Sequence, residues 1–294
     1  MSLVLGLDVG GTKIAVGRVD PESGEVLSEE VIATRPDRAS ELVLEDCVAL
    51  AARHMSPEVH AIGIGVCELV DTNGAIRSAH TVDWRDRDVA ARFAALGPCV
   101  VESDVRAAAL AEARYGVARD WSSFLYVVAG TGLSCCLVDD GRPRTGHHGN
   151  ALLLGPSSLE DTCSGLGLSR LLGVRDLAAS FGDPEARPRL RDAGHRVGAA
   201  LAVLVNALDP QGLVLGGRLG LNDAYHGWIE EAIQTDLHDD AARDLPVLAS
   251  ALGRHGGVLG AALYAHEMVS RSGDEPLLPG RGSPAADGSG GCRG

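Results

Sequence analysis

The chain has 294 residues, of which 45% are hydrophobic, enough for two packed lobes or one large α/β domain with a sizeable core. A formal net charge of −14 supplies no continuous basic groove, which excludes nucleic acid as the main partner, and any anionic ligand must be held by local chemistry. The opening MSLVLGLD has no basic leader, and no later segment approaches the roughly 20 apolar residues of a membrane span, so a cytoplasmic protein with no membrane contact is expected.

In chain order, Val4 to Leu7 and Ile14 to Val19 are predicted strands. They are joined through Asp8-Val9-Gly10-Gly11-Thr12-Lys13, a hairpin with a glycine turn. Of the 26 basic residues every one but Lys13 is arginine, which makes the lysine in that turn conspicuous. A third strand is predicted at Glu25 to Ile32. From Ala39 to His54, Leu44, Cys47, Val48 and Ala51 recur at helical spacing. A buried strand follows at Ala61 to Val66, and a strand at Cys99 to Val101 leads through Glu102-Ser103-Asp104 into the helix VRAAALAEARYG. FLYVVAGTGLSCCLVDDG, Phe124 to Gly141, repeats the grammar of the N-terminus: strand, glycine turn, strand. HRVGAALAVLVNALDP reads as an apolar helix closed by Pro210, GLVLGG as a strand ending in two glycines, and Ala251 to Val269 as the last long helix. Two halves with the same opening suggest a duplicated sheet unit with ligand between the lobes. The seven cysteines (Cys47, Cys67, Cys99, Cys135, Cys136, Cys163 and Cys292) form no CxxC pair and read as reduced packing residues. The expected division is a first lobe over 1–116, a second over 117–270 with its last helix packing back toward the first, and a Gly/Pro/Ser-rich disordered tail over 271–294.

The motifs DVGGTK, ESDVRAAALAEARYG, AGTG, LEDTCSG, NALDPQGLVLGG and LGRHGGVLGAA occur in the order seen in ROK sugar kinases, and the chain resembles that family from about Leu3 to Ala265. The resemblance implies the actin-like, hexokinase-type α/β fold, with two lobes closing over ATP-Mg and a sugar. No helix-turn-helix segment precedes Leu3, which favours the kinases over the family's repressors. Dimers through the larger lobe are common in the family. The apolar stretch Val197 to Leu208 suits either a homodimer contact or the core.

Phosphoryl transfer needs positioning and charge neutralisation more than covalent help. Gly10-Gly11-Thr12 and Gly130-Thr131-Gly132 offer small or absent side chains so that backbone N–H groups can approach phosphate; ordinary hairpin turns are the alternative. Asp8 is expected to hold Mg²⁺ through water, with Thr12 or Lys13 on phosphate. Asp104 matches the family's catalytic aspartate, the base for the acceptor hydroxyl, although an aspartate at a helix start is also a common N-cap. Gly216 and Gly217 match the turn against which adenosine lies, while Gly256 and Gly257 are read as packing residues.

The sugar half departs from the family. Ser103-Asp104-Val105-Arg106 replaces Asn-Asp-x-Asn, leaving Ser103 as a shorter sugar contact, and Leu153 and Pro156 stand where a sugar-binding glutamate and a zinc- and sugar-binding histidine are usual. The zinc loop is missing, so no zinc site is expected, and His147-His148 without cysteines reads as solvent-facing. Glu160 matches the second sugar-binding glutamate. CELVD replaces a Pro-Gly pair, and HTVDW replaces Asn-Leu-Pro-Gly-Trp, making Glu68, His80 and Asp83 candidate new polar contacts. The expected function is an ATP- and Mg²⁺-dependent kinase acting on the primary hydroxyl of glucose, an amino sugar such as kanosamine, or a C7 cyclitol, in secondary metabolism. The alternative is a non-catalytic sugar or nucleotide sensor. Loss of sugar contacts with retention of base and phosphate turns favours the kinase.

Overall fold

The computed structural model describes residues 2–274 apart from Pro36, Leu152, Leu153, Gly155 and Pro156. The departures at Leu153 and Pro156, and the segment 275–294 with Cys292, therefore lie outside the described residues.

The first half builds a sheet from β1 (Leu3–Val9), β2 (Lys13–Val19), β3 (Val26–Ala33), β4 (Val59–Val66) and β5 (Cys99–Ser103), in the order β3-β2-β1-β4-β5. The β1–β2–β3 meander is antiparallel, and β4 and β5 add in parallel. The parallel additions need crossovers: α1 (Ser40–His54) returns the chain from β3 to β4, and a loop with the single-turn α2 (Val89–Arg92) returns it to β5. The central strand LVLGLDV is buried along almost its whole length because both sheet faces are covered. Val43, Leu44, Cys47, Leu50 and Ala51 of α1 cover one face.

The second half repeats this plan. Its strands are β6 (Ser123–Ala129), β7 (Leu133–Asp139), β8 (Arg142–Pro143), β9 (Leu213–Gly216) and β10 (Val247–Ala249), in the order β10-β9-β6-β7-β8. Read from its own first strand, this sheet has the same neighbours and the same strand senses as the other. The duplication expected from the two glycine hairpins is present. The crossover from β8 to β9 is long: α4 (Ser157–Cys163), α5 (Gly165–Leu172), a 3₁₀ turn and α6 (Arg187–Leu208). Val197, Leu201, Ala202 and Val205 of α6 enter the core, whereas Val203 is 67% exposed on its outer face. Between β9 and β10 lie the short α7 (Gly217–Gly220) and α8 (Asp223–Asp236), which packs on α6. Gly194 and Gly198 permit that approach, since a Cβ on Gly198 would lie 2.4 Å from the Ile229 carbonyl oxygen.

Each sheet is capped by the helix that ends the other half. Helix α3 (Asp104–Tyr115), which leaves β5, packs Val105, Ala108 and Ala109 against Phe124, Tyr126 and Cys136 of the second sheet. Helix α9 (Gly256–Asp274), which leaves β10, packs Val258, Ala262 and Ala265 over Val4, Ala15 and Ala61 of the first. The contact is backbone-close: a Cβ on Gly6 would sit 2.0 Å from the Val258 carbonyl oxygen, and one on Gly63 1.8 Å from that of Ala261. The two helices cross where Gly260 meets Ala107, with equally little room. Helix α9 continues through Asp274, beyond Val269 where the expected helix stops. Among the described residues no helix is long and apolar enough to cross a membrane, and the six described cysteines are free thiols. Burial pushes Cys47, Cys67, Cys99, Cys135 and Cys136 up to about 12, as suits inert packing residues.

Candidate active site

Register places the acidic residues. Asp8 lies level with Gly65 on the neighbouring strand and Gly65 with Glu102 on the next, so Asp8 and Asp104 both sit at the carboxyl end of the first sheet, where open α/β sheets bind ligands. Gly65 keeps the row low between them; a Cβ there would lie 3.5 Å from the Asp104 Cα. Both aspartates are partly accessible. Burial pushes Asp8 up to about 6, with Lys13 pulling it back. Asp104 is pushed up to about 7, chiefly by burial, then by the charge of Asp8, with Glu68 adding a smaller push. Asp104 is the first residue of α3, and Ser103 holds the cap position. The Asp104 Oδ1 accepts from the adjacent Val105 N–H at 2.8 Å, not from an N–H deeper in the helix. Capping therefore does not account for this carboxylate. Ser103 is 1% exposed, and its side chain slightly favours the charged form of the Asp104 carboxylate.

The first glycine turn closes with Gly10 N–H donating to Lys13 C=O at 2.9 Å. Beneath it the buried Thr34 donates its hydroxyl to Gly10 C=O at 2.6 Å, and its N–H to Thr12 C=O at 3.1 Å. No sequence pattern singles out Thr34. The protein's own packing leaves room for a side chain at Gly11 but is tight against backbone at Gly10. A Cβ would meet Lys13 O at 3.3 Å and Thr81 Oγ1 at 3.6 Å, and neither residue has positive φ. Thr12 and Lys13 are exposed at the mouth of the turn.

The other glycines divide differently. In the second turn Gly130 N–H donates to Gly132 C=O at 2.9 Å, and the start of α5 ties the turn down through Gly165 N–H to Gly130 C=O at 2.7 Å. Gly130 has room for a side chain, but a Cβ on Gly132 would be 2.7 Å from Glu160 Oε1. Gly216 is pressed by the Tyr126 hydroxyl, and Gly217, at φ +78°, by the Ala129 carbonyl at 2.4 Å from a would-be Cβ. Gly257 is pressed by Asp8, at 2.6 Å. Packing thus requires glycine at 216, 217 and 257, whereas at 132 only the movable carboxylate of Glu160 stands in the way. The second turn opens into a pocket of ≈ 260 Å³, walled by Thr131, Arg175, Asp176, Phe181, Arg218 and Asn222 among others. Gly216 and Gly217 lead into Arg218, which lines it. Of the pocket's polar residues only Asn222 carries a readable signal: it caps α8, accepting from Tyr225 N–H at 3.1 Å.

Several candidates on the sugar side are occupied by the chain itself. Glu68 is 3% exposed, and both its oxygens are saturated by donors from residues 78–82, so it is not free to meet a substrate. Asp83 is exposed and held in a two-bond fork by Arg85. His80 is exposed, with its N–H given to Glu68. Glu160, on α4, accepts from Leu133 N–H at 3.1 Å and so braces the second turn while remaining exposed. Arg106 is 1% exposed and fully used: it pairs with Glu102 through Nε and Nη2, and donates to Val70 C=O at 2.6 Å and Gly149 C=O at 2.9 Å. It stitches the 70s hairpin to the loop after β8. His147 and His148 are both exposed, their rings edge to face at 4.4 Å. Among the described residues no three His, Cys, Asp or Glu side chains converge as metal ligands would.

The ROK family model matches residues 4–167 and 159–268. The chain belongs to the ROK family. A hexokinase of the family from Thermus thermophilus is similar in structure, with a TM-score of 0.75 and 32% identity over 92% of this chain and 99% of that one. A Streptomyces griseus ROK glucokinase, solved with glucose and AMPPNP, gives a TM-score of 0.77 at 28% identity, covering 90% and 100%. The glucokinase of Streptomyces coelicolor is 29% identical over 321 aligned positions, 91% of this chain and 98% of its own. The two five-stranded sheets with exchanged capping helices are accordingly the actin-like, hexokinase-type ATPase fold.

Proposed function

We propose that this ROK protein transfers the γ-phosphoryl group of ATP to the primary hydroxyl of a hexose-like acceptor: glucose, an amino sugar such as kanosamine, or a C7 cyclitol, in secondary metabolism. Its class is that of the ATP-dependent sugar kinases, phosphotransferases with an alcohol acceptor. The observation that carries the reading is Asp104, a carboxylate raised to about 7 beside Asp8 at the carboxyl end of the first sheet. A base titrating near neutrality is well matched to take a proton from a sugar hydroxyl. On this reading Asp104 receives the hydroxyl proton as the acceptor oxygen bonds to the γ-phosphorus. The bond from that phosphorus to the bridging oxygen breaks, and ADP departs with the bridging electron pair. The Ser103 side chain slightly favours the charged form of Asp104, the form that takes the proton.

Glycine at 11 is supported as a phosphate approach because nothing inside the protein requires it, and Gly10 belongs to the same turn. Thr12 and Lys13 stand beside it to meet phosphate oxygens, and Thr131 with Gly130 serves the donor from the pocket side. Packing at Gly216 and Gly217 shapes that pocket, where Arg218 and Asn222 face the nucleoside. A divalent cation fits near Asp8, whose partly accessible negative charge is offset among the described residues by Lys13. Bound there through water, Mg²⁺ supplies neutralisation of the phosphate charge. Glu160 meets the acceptor from its place against the second turn. The exposed Val203 on α6 supports homodimer formation through the second half.

The test is ADP release over a panel of glucose, glucosamine, kanosamine and C7 cyclitols. Turnover with one of them supports the proposal. Measurable ATP binding with no turnover on any of them defeats it and leaves the sensor.

A further inference from the structure

Cys67-Glu68 stands in place of a Pro-Gly pair, so resemblance assigns Glu68 no role. Its surroundings do. The carboxylate takes four donors: Ser78 Oγ at 2.5 Å and His80 N–H at 2.8 Å on Oε2, Thr81 N–H at 2.6 Å and Val82 N–H at 3.1 Å on Oε1. Three of these are consecutive backbone amides, the kind of concavity that elsewhere captures a free anion. Here the chain supplies the anion itself. Ser78 Oγ also accepts from Leu69 N–H at 2.8 Å, and Arg77 N–H donates to Leu69 C=O at 2.7 Å, so residues 68–69 and 77–82 are fastened along both sides.

The fastened segment borders the Asp8–Asp104 cleft. Thr81 Oγ1 is the group nearest a would-be Cβ on Gly11, at 3.6 Å, and the Thr81 side chain lies near enough to Cys67 to favour its thiolate against the effect of burial. Cys67 in turn lies close enough to Asp104 and Asp8 to feel both charges. We propose that Glu68 is a positioning residue that holds residues 78–82 as a fixed wall of the acceptor site, presenting Thr81 and His80 to the substrate. This rests on the reading of the Asp8–Asp104 cleft as the place of phosphoryl transfer. The chemistry explains why a carboxylate is needed. Glutamine offers one acceptor oxygen to four donors and turns an NH₂ toward amides, and aspartate is one methylene short.

The experiment compares the wild-type chain with Glu68→Gln and Glu68→Asp by amide hydrogen exchange and by steady-state kinetics on whichever panel acceptor is used best. Glu68→Gln is expected to speed exchange in residues 78–84 by about tenfold or more, as loss of charge-assisted hydrogen bonds implies. It is expected to raise the acceptor KM by about tenfold while the ATP KM stays within about twofold. Glu68→Asp should fall between the two in both measurements. Unchanged exchange overturns the proposal, because Glu68 then does not hold the segment. Faster exchange with an unchanged acceptor KM, or equal rises in both KM values, also overturns it, because the segment is then no wall of the acceptor site. Should Glu68→Gln fail to fold, Ser78→Ala removes one donor and leaves the three amides, and the same changes are expected at smaller size. A wild-type chain that turns over no acceptor defeats the kinase reading and the wall role with it. The exchange result still reports separately whether Glu68 holds the segment.

Discussion

Replacing Asp104 by asparagine should stabilise the protein while removing its turnover, and the gain should depend on pH. Burial and the charge of Asp8 raise Asp104 from 3.8 to about 7. That difference of about three units corresponds to ~4 kcal/mol at ~1.4 kcal/mol per unit. Because the folded form binds the proton more tightly than the unfolded chain, the cost of the charge is fully present above pH 7. It shrinks as pH falls through 7 and vanishes toward 3.8. Asp104→Asn is therefore expected to raise the unfolding free energy by up to ~4 kcal/mol at pH 8, and by no more than ~2 kcal/mol at pH 5. Partial access of solvent to the carboxylate makes both figures upper bounds. Urea titrations of the ligand-free protein at the two pH values, with ADP release measured in parallel, give the comparison. A gain of equal size at both pH values, or none at either, would refute the account of a desolvated base; near-normal turnover would show that another group takes the proton.

Three further substitutions probe separate parts of the site. Gly257→Ala drives a methyl group to within 2.6 Å of the Asp8 carboxyl carbon, so a stability loss of ~1–3 kcal/mol is expected in thermal melts, together with a higher Mg²⁺ requirement in the ADP-release assay. Arg106→Ala leaves Glu102 charged and buried without its partner. A loss of ~3–5 kcal/mol in urea is expected, and a loss below ~1 kcal/mol would mean that water replaces the guanidinium. Lys13→Met removes the one cation that pulls Asp8 down. Asp8 then rises further above about 6, and the same loss of positive charge favours a divalent cation there still more, so half-maximal activity at pH 8 should require less Mg²⁺ than in the wild type; an unchanged Mg²⁺ titration would place the metal elsewhere.

Legibility in the sequence followed periodicity. The hairpins β1–β2 and β6–β7 and the helices α1, α3, α6 and α9 announce themselves through alternating or helical apolar spacing, which is a local property. Helix α8 is absent from the expectations although Asn222 caps it and Tyr225, Trp228, Ile229 and Ile233 follow at helical spacing. Strand β10 has only three residues, too few for any pattern. The exchange of capping helices between the sheets is a tertiary arrangement with no local trace. In the site, Asp8 and Asp104 are visible because motifs surround them. Glu68 is visible as an anomaly but reads as a substrate contact, since its partners are backbone amides that look alike in every sequence. Thr34 is invisible for the same reason: what it holds is a carbonyl.

The arrangement of α9 bears on how the protein comes to exist in the cell. A ribosome makes the first sheet early, yet the face of that sheet around Gly6 and Gly63 is shaped to receive the backbone of Val258 and Ala261, which leave the tunnel near the end of synthesis. Until then that face has no cover, and the floor beside Asp8 lacks Gly257. The nascent first half thus waits for the last helix before its cleft has a shape, and a chain stopped short of residue 256 should be a substrate for chaperones and proteases, without a partial enzyme to show for it.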